Sequence, residues 1–124
     1  MSWMTRGFRK VYFSRSELSC KHCGEYLFDE DFLKILNLVR HSYGKAIQLN
    51  SAYRCRDHNE AVGGKKTSAH RKGKAVDIRC ESDADRWKLV NLLIKHGVTR
   101  IGVGKDFIHA DVDQLKNKER MWVY

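Results

Sequence analysis

The sequence predicts an α+β domain in which two main helices pack on a small, largely antiparallel sheet. Three observations carry that expectation. Asp31–Ser42 and Ser82–His96 repeat apolar residues at helical spacing. Several apolar runs of strand length stand between and after them. Proline is absent, so turns depend on the nine glycines.

The elements follow in order. Met1–Arg15 is basic and aromatic, with Trp3, Phe8, Tyr12 and Phe13, and reads as an arm packing on the domain. Ser16–Glu30 reads as irregular. In Asp31–Ser42, Phe32, Ile35, Leu36 and Val39 make one apolar stripe. Asp29, Glu30 and Asp31 suit the positive N-terminal end of that helix, and Gly44 lies just past its other end. Ala46–Ser51 reads as a strand with Ile47 and Leu49 inward. Asp57–Val62 reads as a short helix ended by Gly63-Gly64, before a polar loop over Lys65–Thr67. Ala75–Cys80 reads as a strand, with Ala75, Asp77 and Arg79 on one face and Val76, Ile78 and Cys80 on the other. Ser82 caps the second helix, with Asp85 in the place of a capping-box acid. Trp87, Val90, Leu93 and Ile94 are its expected buried stripe, and Gly97 closes it. Arg100–Val103, Phe107–Val112 and Glu119–Tyr124 read as the remaining strands.

At 124 residues the chain is expected to be one domain, 1–124, large enough to bury a core without staples. Lys and Arg number 24 against 15 Asp and Glu, so the formal charge is 24 − 15 = +9. The positive residues are spread along the chain, which suits a solvated basic surface or attraction to an anionic partner. No recognised nucleic-acid motif is present, so nucleic acid is not an expected partner. No apolar run approaches the ~18 residues that span a membrane, and membrane insertion is not expected. The start, MSWMTRGFRK, lacks an apolar h-region and a small-residue cleavage site, so the expectation is synthesis in the cytoplasm without a signal peptide. A monomer is the expected state.

The four cysteines are Cys20, Cys23, Cys55 and Cys80. In such a chain they are expected as thiols or metal ligands rather than disulfides. Cys20-Lys-His-Cys23-Gly is knuckle-like and offers two ligands of a structural metal, short of the four such a site needs. No second Cys-x-x-Cys accompanies it.

Ser68–Asp77, SAHRKGKAVD, and Asp106–Asp111, DFIHAD, hold the candidate site. They offer His70, Asp77 and His109 as three metal ligands, with Asp106 as a carboxylate beside them. Two imidazoles and one carboxylate suit one catalytic zinc, which keeps a further position open. If the strands bearing Asp77 and His109 are neighbours, the three can converge.

These residues resemble a known family. Ser68-x-His70-x-x-Gly73-x-Ala75-x-Asp77, followed by Asp106-x-x-His109, is similar to the zinc D-alanyl-D-alanine carboxypeptidases and the phage L-alanyl-D-glutamate endolysins. That group shares its fold with the Hedgehog signalling domain. Ser51-Ala52-Tyr53-Arg54, Asn59 and Val62-Gly63-Gly64 also match, and the resemblance runs from about Tyr12 to Trp122. It implies a zinc peptidase acting on bacterial peptidoglycan. In that reading Asp106 is the general base, Arg54 holds a substrate carboxylate or oxyanion, Ser68 supports the site through hydrogen bonds, and Trp122 packs near the cleft. Asp111 is either the partner of His109 or an alternative base. The absence of a signal peptide and of a wall-binding module fits a phage or prophage endolysin that reaches the wall after release. The L-Ala-D-Glu bond is the favoured target and the D-Ala-D-Ala bond the alternative. A non-catalytic, zinc-stabilised binding domain is the reading from another class.

Overall fold

A computed structural model describes residues 11–124. The part of the expected arm over residues 1–10 lies outside the described residues. Helix α1 (Arg15–Leu18) is followed by α2 (Glu30–Tyr43), β1 (Leu49–Ser51), α3 (Arg56–Ala61) and a 3-10 turn (Ala69–Lys72). Then come β2 (Ala75–Arg79), α4 (Asp83–Lys95), β3 (Arg100–Val103), β4 (Phe107–Asp111) and β5 (Arg120–Val123). The architecture is α+β, as the periodicities predict. The sheet order is β1-β2-β4-β3-β5, antiparallel except for the parallel β3–β5 pair.

Period-two alternation decides which face of the sheet meets the helices. Val76, Ile78, Ile101, Ile108 and Ala110 point to the helix side and are buried. α2 adds Phe32, Leu36 and Val39 to the same core. Each of these Val, Ile, Leu and Phe side chains stabilises the fold by roughly 1.5–3 kcal/mol through burial. Asp29 starts α2 by accepting a hydrogen bond from the Phe32 N–H at 2.9 Å, and Gly44 ends it in a left-handed conformation (φ 81°). Lys74 pairs with Asp29 at 3.0 Å and so ties the start of α2 to the approach to β2.

Two expectations need correction. Trp87 and Ile94 do not belong to the buried stripe of α4; they are 75% and 53% exposed. Leu89 and Leu93 are the buried residues, one turn apart, because this is the face that meets α2 and the sheet. Ser16–Glu30 is also not wholly irregular. Ser14 and Glu17 form a reciprocal capping box that starts α1. Among the described residues, no helix is long and apolar enough to cross a membrane.

Candidate metal centre

The opposite face of the sheet carries the polar residues. β2 and β4 are antiparallel neighbours, and Asp77 stands directly across from His109. His70 comes from the 3-10 turn just before β2. Ser68 begins that turn by accepting a hydrogen bond from the His70 N–H at 3.2 Å. Gly73 ends it at φ 67°, where a side chain would also overlap the Leu27 carbonyl oxygen. The turn and the cross-strand pair together bring one donor atom each from His70, Asp77 and His109 within 4.8 Å of one another.

The hydrogen bonds around the two imidazoles set their tautomers. His70 Nδ1 lies 2.7 Å from the Ala52 carbonyl oxygen, which can only accept, so Nδ1 carries the proton. Its Nε2 then presents a lone pair; it is buried, without a hydrogen-bond partner, and 3.3 Å from Asp77 Oδ1. His109 Nε2 lies 2.7 Å from Asp111 Oδ2 and donates to it. Its Nδ1 therefore presents a lone pair, 3.0 Å from the same Asp77 oxygen. Two lone pairs and a carboxylate oxygen facing one another repel unless a cation lies among them. The donor set therefore fits a divalent metal ion, with both rings held by groups behind them.

Charge effects point the same way. Burial pushes the Asp77 carboxyl up, but with the facing imidazoles protonated the contacts with His109 and His70 outweigh it and hold the group well below the usual carboxylate range. Burial pushes His109 down, while Asp111 and Asp77 push it up, and the net direction is up. Both directions express the same attraction of the cluster for positive charge.

Asp111 is 1% exposed and fully engaged. Its Oδ2 accepts from His109, its Oδ1 accepts from the Asp113 N–H at 3.1 Å, and the same oxygen forms an ion pair with the Arg100 guanidinium, 3.1 Å from Nε. Of the two roles left open by the sequence, this geometry favours partner of His109.

A cleft of about 480 Å³ opens over the trio. Arg54 lines it; burial lowers its pKa, opposed by the nearby Asp77 charge, and its Nε is buried without a hydrogen-bond partner. Trp122 forms one wall, its ring 5.5 Å from that of His109 and 5.0 Å from the Arg100 guanidinium. Gly102 makes this contact available. It stands between His109 and Trp122 across three adjacent strands, and a side chain there would collide with the indole. Ser68, Lys65, Lys116 and Tyr124 also face the cleft.

Asp106 is not brought to the trio. It is exposed, precedes β4, and is absent from the residues lining the cleft. It lies in the bend before the strand begins, and its carbonyl oxygen accepts from the Cys80 N–H at 2.9 Å. His58 is also absent from the cleft lining. Arg100, Lys116 and Tyr124 carry no motif; Arg100 and Tyr124 reach the cleft through strand order and Lys116 from the connection between β4 and β5, so spacing alone gave no signal for them.

No curated protein matches the chain. The family model described as peptidase M15 matches residues 11–111, which spans the 3-10 turn, β2 and the whole of β4. With that match over most of its length, the chain belongs to the peptidase M15 family.

Proposed function

We propose that the chain is a zinc metallopeptidase that hydrolyses peptidoglycan stem peptides, with the endolysin-type L-Ala-D-Glu bond as its target. The observation that carries this reading is the convergence of two imidazole lone pairs and one carboxylate at the floor of an open cleft. Two histidines and a carboxylate form a catalytic type of zinc set, one that leaves a position for substrate or water. When bound, zinc supplies the Lewis acidity that polarises a peptide carbonyl and activates water at neutral pH.

The chain's own residues do the rest. His70, Asp77 and His109 hold the ion. Ala52 and Asp111 keep the two rings in the tautomers that face it. The unpaired, half-buried guanidinium of Arg54 binds a substrate carboxylate or the oxygen on which charge develops. Trp122 offers an apolar wall against which a peptide packs. Lys65, Arg100 and Lys116 make the cleft basic, which suits a carboxylate-bearing peptide.

Cleavage at D-Ala-D-Ala is the second reading within this class, and a zinc-stabilised binding domain is the reading outside it. Mass spectrometry of fragments released from purified peptidoglycan, with and without a chelator, separates them. Chelator-sensitive release exposing a new D-glutamate amine supports the endopeptidase. Free D-alanine identifies a carboxypeptidase. No cleavage of several wall types by zinc-loaded protein overturns the enzymatic reading.

A further inference from the structure

A second group of metal-type donors stands apart from the cleft. The sulfurs of Cys20, Cys23 and Cys55 lie within 4.8 Å of one another. Tetrahedral zinc with Zn–S bonds of about 2.3 Å needs sulfurs about 3.8 Å apart, so modest side-chain adjustment suffices. The pairing joins positions 35 residues apart in sequence, so the Cys-x-x-Cys has partners that its own neighbourhood does not supply. The second half of the set has a spacing of its own, Cys55-Arg-Asp-His58. Cys-x-x-Cys followed by Cys-x-x-His supplies the four ligands of a Cys3His site.

The local backbone is arranged for such a site. Cys20 N–H donates to the Glu25 carbonyl and Gly24 N–H to the Cys20 carbonyl, both at 2.8 Å, with Gly24 at φ 77°. This tight turn folds Cys23 back beside Cys20. Cys55 N–H points at Cys20 Sγ and His58 N–H at Cys55 Sγ, each at 3.4 Å. N–H groups aimed at sulfur favour the thiolate that binds metal. The His58 ring lies beside the same turn, stacked on His22 with centroids 5.8 Å apart. The three sulfurs alone lie within 4.8 Å of one another, so the ring has to turn toward them to complete the set.

We propose that Cys20, Cys23, Cys55 and His58 form a structural zinc site, independent of the cleft metal. Three thiolates and one imidazole leave no position for substrate, and soft sulfur donors select zinc over calcium or magnesium. The site ties the stretch between α1 and α2 to the segment that follows β1. Between α1 and α2 there is no helix or strand over residues 19–29. Cys55 also directly follows Arg54, so the metal fixes the backbone that carries the cleft arginine.

The test needs no catalytic assay. The full chain is purified under reducing conditions, and its metal is measured by elemental mass spectrometry; about two zinc ions per chain are expected. Cobalt is then substituted for zinc. The cleft set contains no sulfur, so a sulfur-to-cobalt charge-transfer band in the near ultraviolet reports the cysteine site alone. The band is expected in the unmodified chain and in His70→Ala, and is expected to be lost in Cys55→Ser. His58→Ala is expected to change the cobalt d–d bands, whereas His22→Ala leaves them unchanged. The unmodified chain decides the question even if a cysteine variant fails to fold. About one zinc per chain, removed by His70→Ala, with no charge-transfer band, overturns the proposal. So does a disulfide among these cysteines in protein isolated in parallel without reductant and with free thiols blocked at lysis. Unchanged d–d bands in His58→Ala overturn the assignment of the fourth ligand.

Discussion

Replacing Asp111 by Asn tests whether the group behind His109 governs metal binding. The exchange preserves size and removes a charge at a position only 1% exposed. Asp111 now accepts from His109 Nε2 at 2.7 Å, which holds the proton on Nε2 and leaves the Nδ1 lone pair for the metal. An asparagine presents either its oxygen or its NH2 group. The NH2 choice favours the opposite tautomer, with the proton on Nδ1, where it blocks the metal. Loss of a carboxylate behind a ligating histidine costs about 10–100-fold in affinity, equivalent to about 1.4–2.8 kcal/mol. A second cost falls on the fold, because Arg100 loses its carboxylate partner. Breaking a buried pair costs about 3–5 kcal/mol. Arg100 keeps a hydrogen bond to the Asn117 carbonyl at 2.7 Å and its contact with the Trp122 ring, which places the cost near the low end, about 3 kcal/mol. A domain stable by about 5–15 kcal/mol survives that loss, so the folded variant can be measured. Zinc affinity by competition with a chromophoric chelator reads the first cost, and denaturant unfolding of metal-free protein reads the second. Affinity within twofold of the unmodified chain would refute the argument that Asp111 sets the His109 tautomer.

Three further substitutions have measurable outcomes. Arg54→Lys keeps zinc but lowers kcat/KM on peptidoglycan fragments by about 100–1000-fold, because an ammonium cannot reproduce the fork of the guanidinium; unchanged kinetics with a stable fold would remove Arg54 from substrate binding. Asp106→Asn retains zinc and lowers turnover by about 100–10,000-fold, because the amide cannot take the proton that the base role requires; turnover within about threefold would remove Asp106 from the chemistry. Asp29→Ala costs about 1 kcal/mol at neutral pH through the lost helix cap. Burial pushes the Asp29 carboxyl up, but the Phe32 N–H and Lys74 outweigh it and depress the folded pKa. Its contribution is therefore complete above the unfolded carboxyl pKa and is lost as pH falls through the folded one. The stability gap between the two proteins should close in acid; a gap unchanged from pH 7 to pH 2 would contradict that origin.

The fold was legible where one physical signal dominated. Val76, Ile78 and Cys80 alternate with polar residues, and only one face of β2 can meet the core. In α4 the signal was ambiguous. Trp87, Leu89, Val90, Leu92, Leu93 and Ile94 surround much of the helix, so periodicity admits more than one buried stripe. Packing against α2 chooses Leu89 and Leu93, and propensity contains no information about that choice. The start of α1 was missed: Ser14-x-x-Glu17 has the spacing of a capping box, but no apolar period follows it. At the candidate site, motif spacing indicated residues on two segments. It could not indicate that Arg100 stands across from Asp111, or that Gly102 opens a path for Trp122 to His109. Both depend on register, which pairs residues across strands.

The cleft depends on the few residues that leave β1. Ala52 accepts from His70 Nδ1 and so selects its tautomer. Tyr53 N–H bonds to the Leu18 carbonyl, Arg54 N–H to the His70 carbonyl, and Cys55 N–H points at Cys20 Sγ. One extended segment thus sets a metal-facing imidazole, carries the cleft arginine and reaches the cysteine cluster. Ala52 is fully buried, which leaves the segment no room to slide without opening the core. A displacement of this segment would misplace His70 and Arg54 together, whereas the β2–β4 ladder would still hold Asp77 opposite His109. The two halves of the site are therefore positioned by different means: one by sheet register, the other by a loop whose far end meets the cysteines. A metal at those cysteines would act on the half that the sheet does not control.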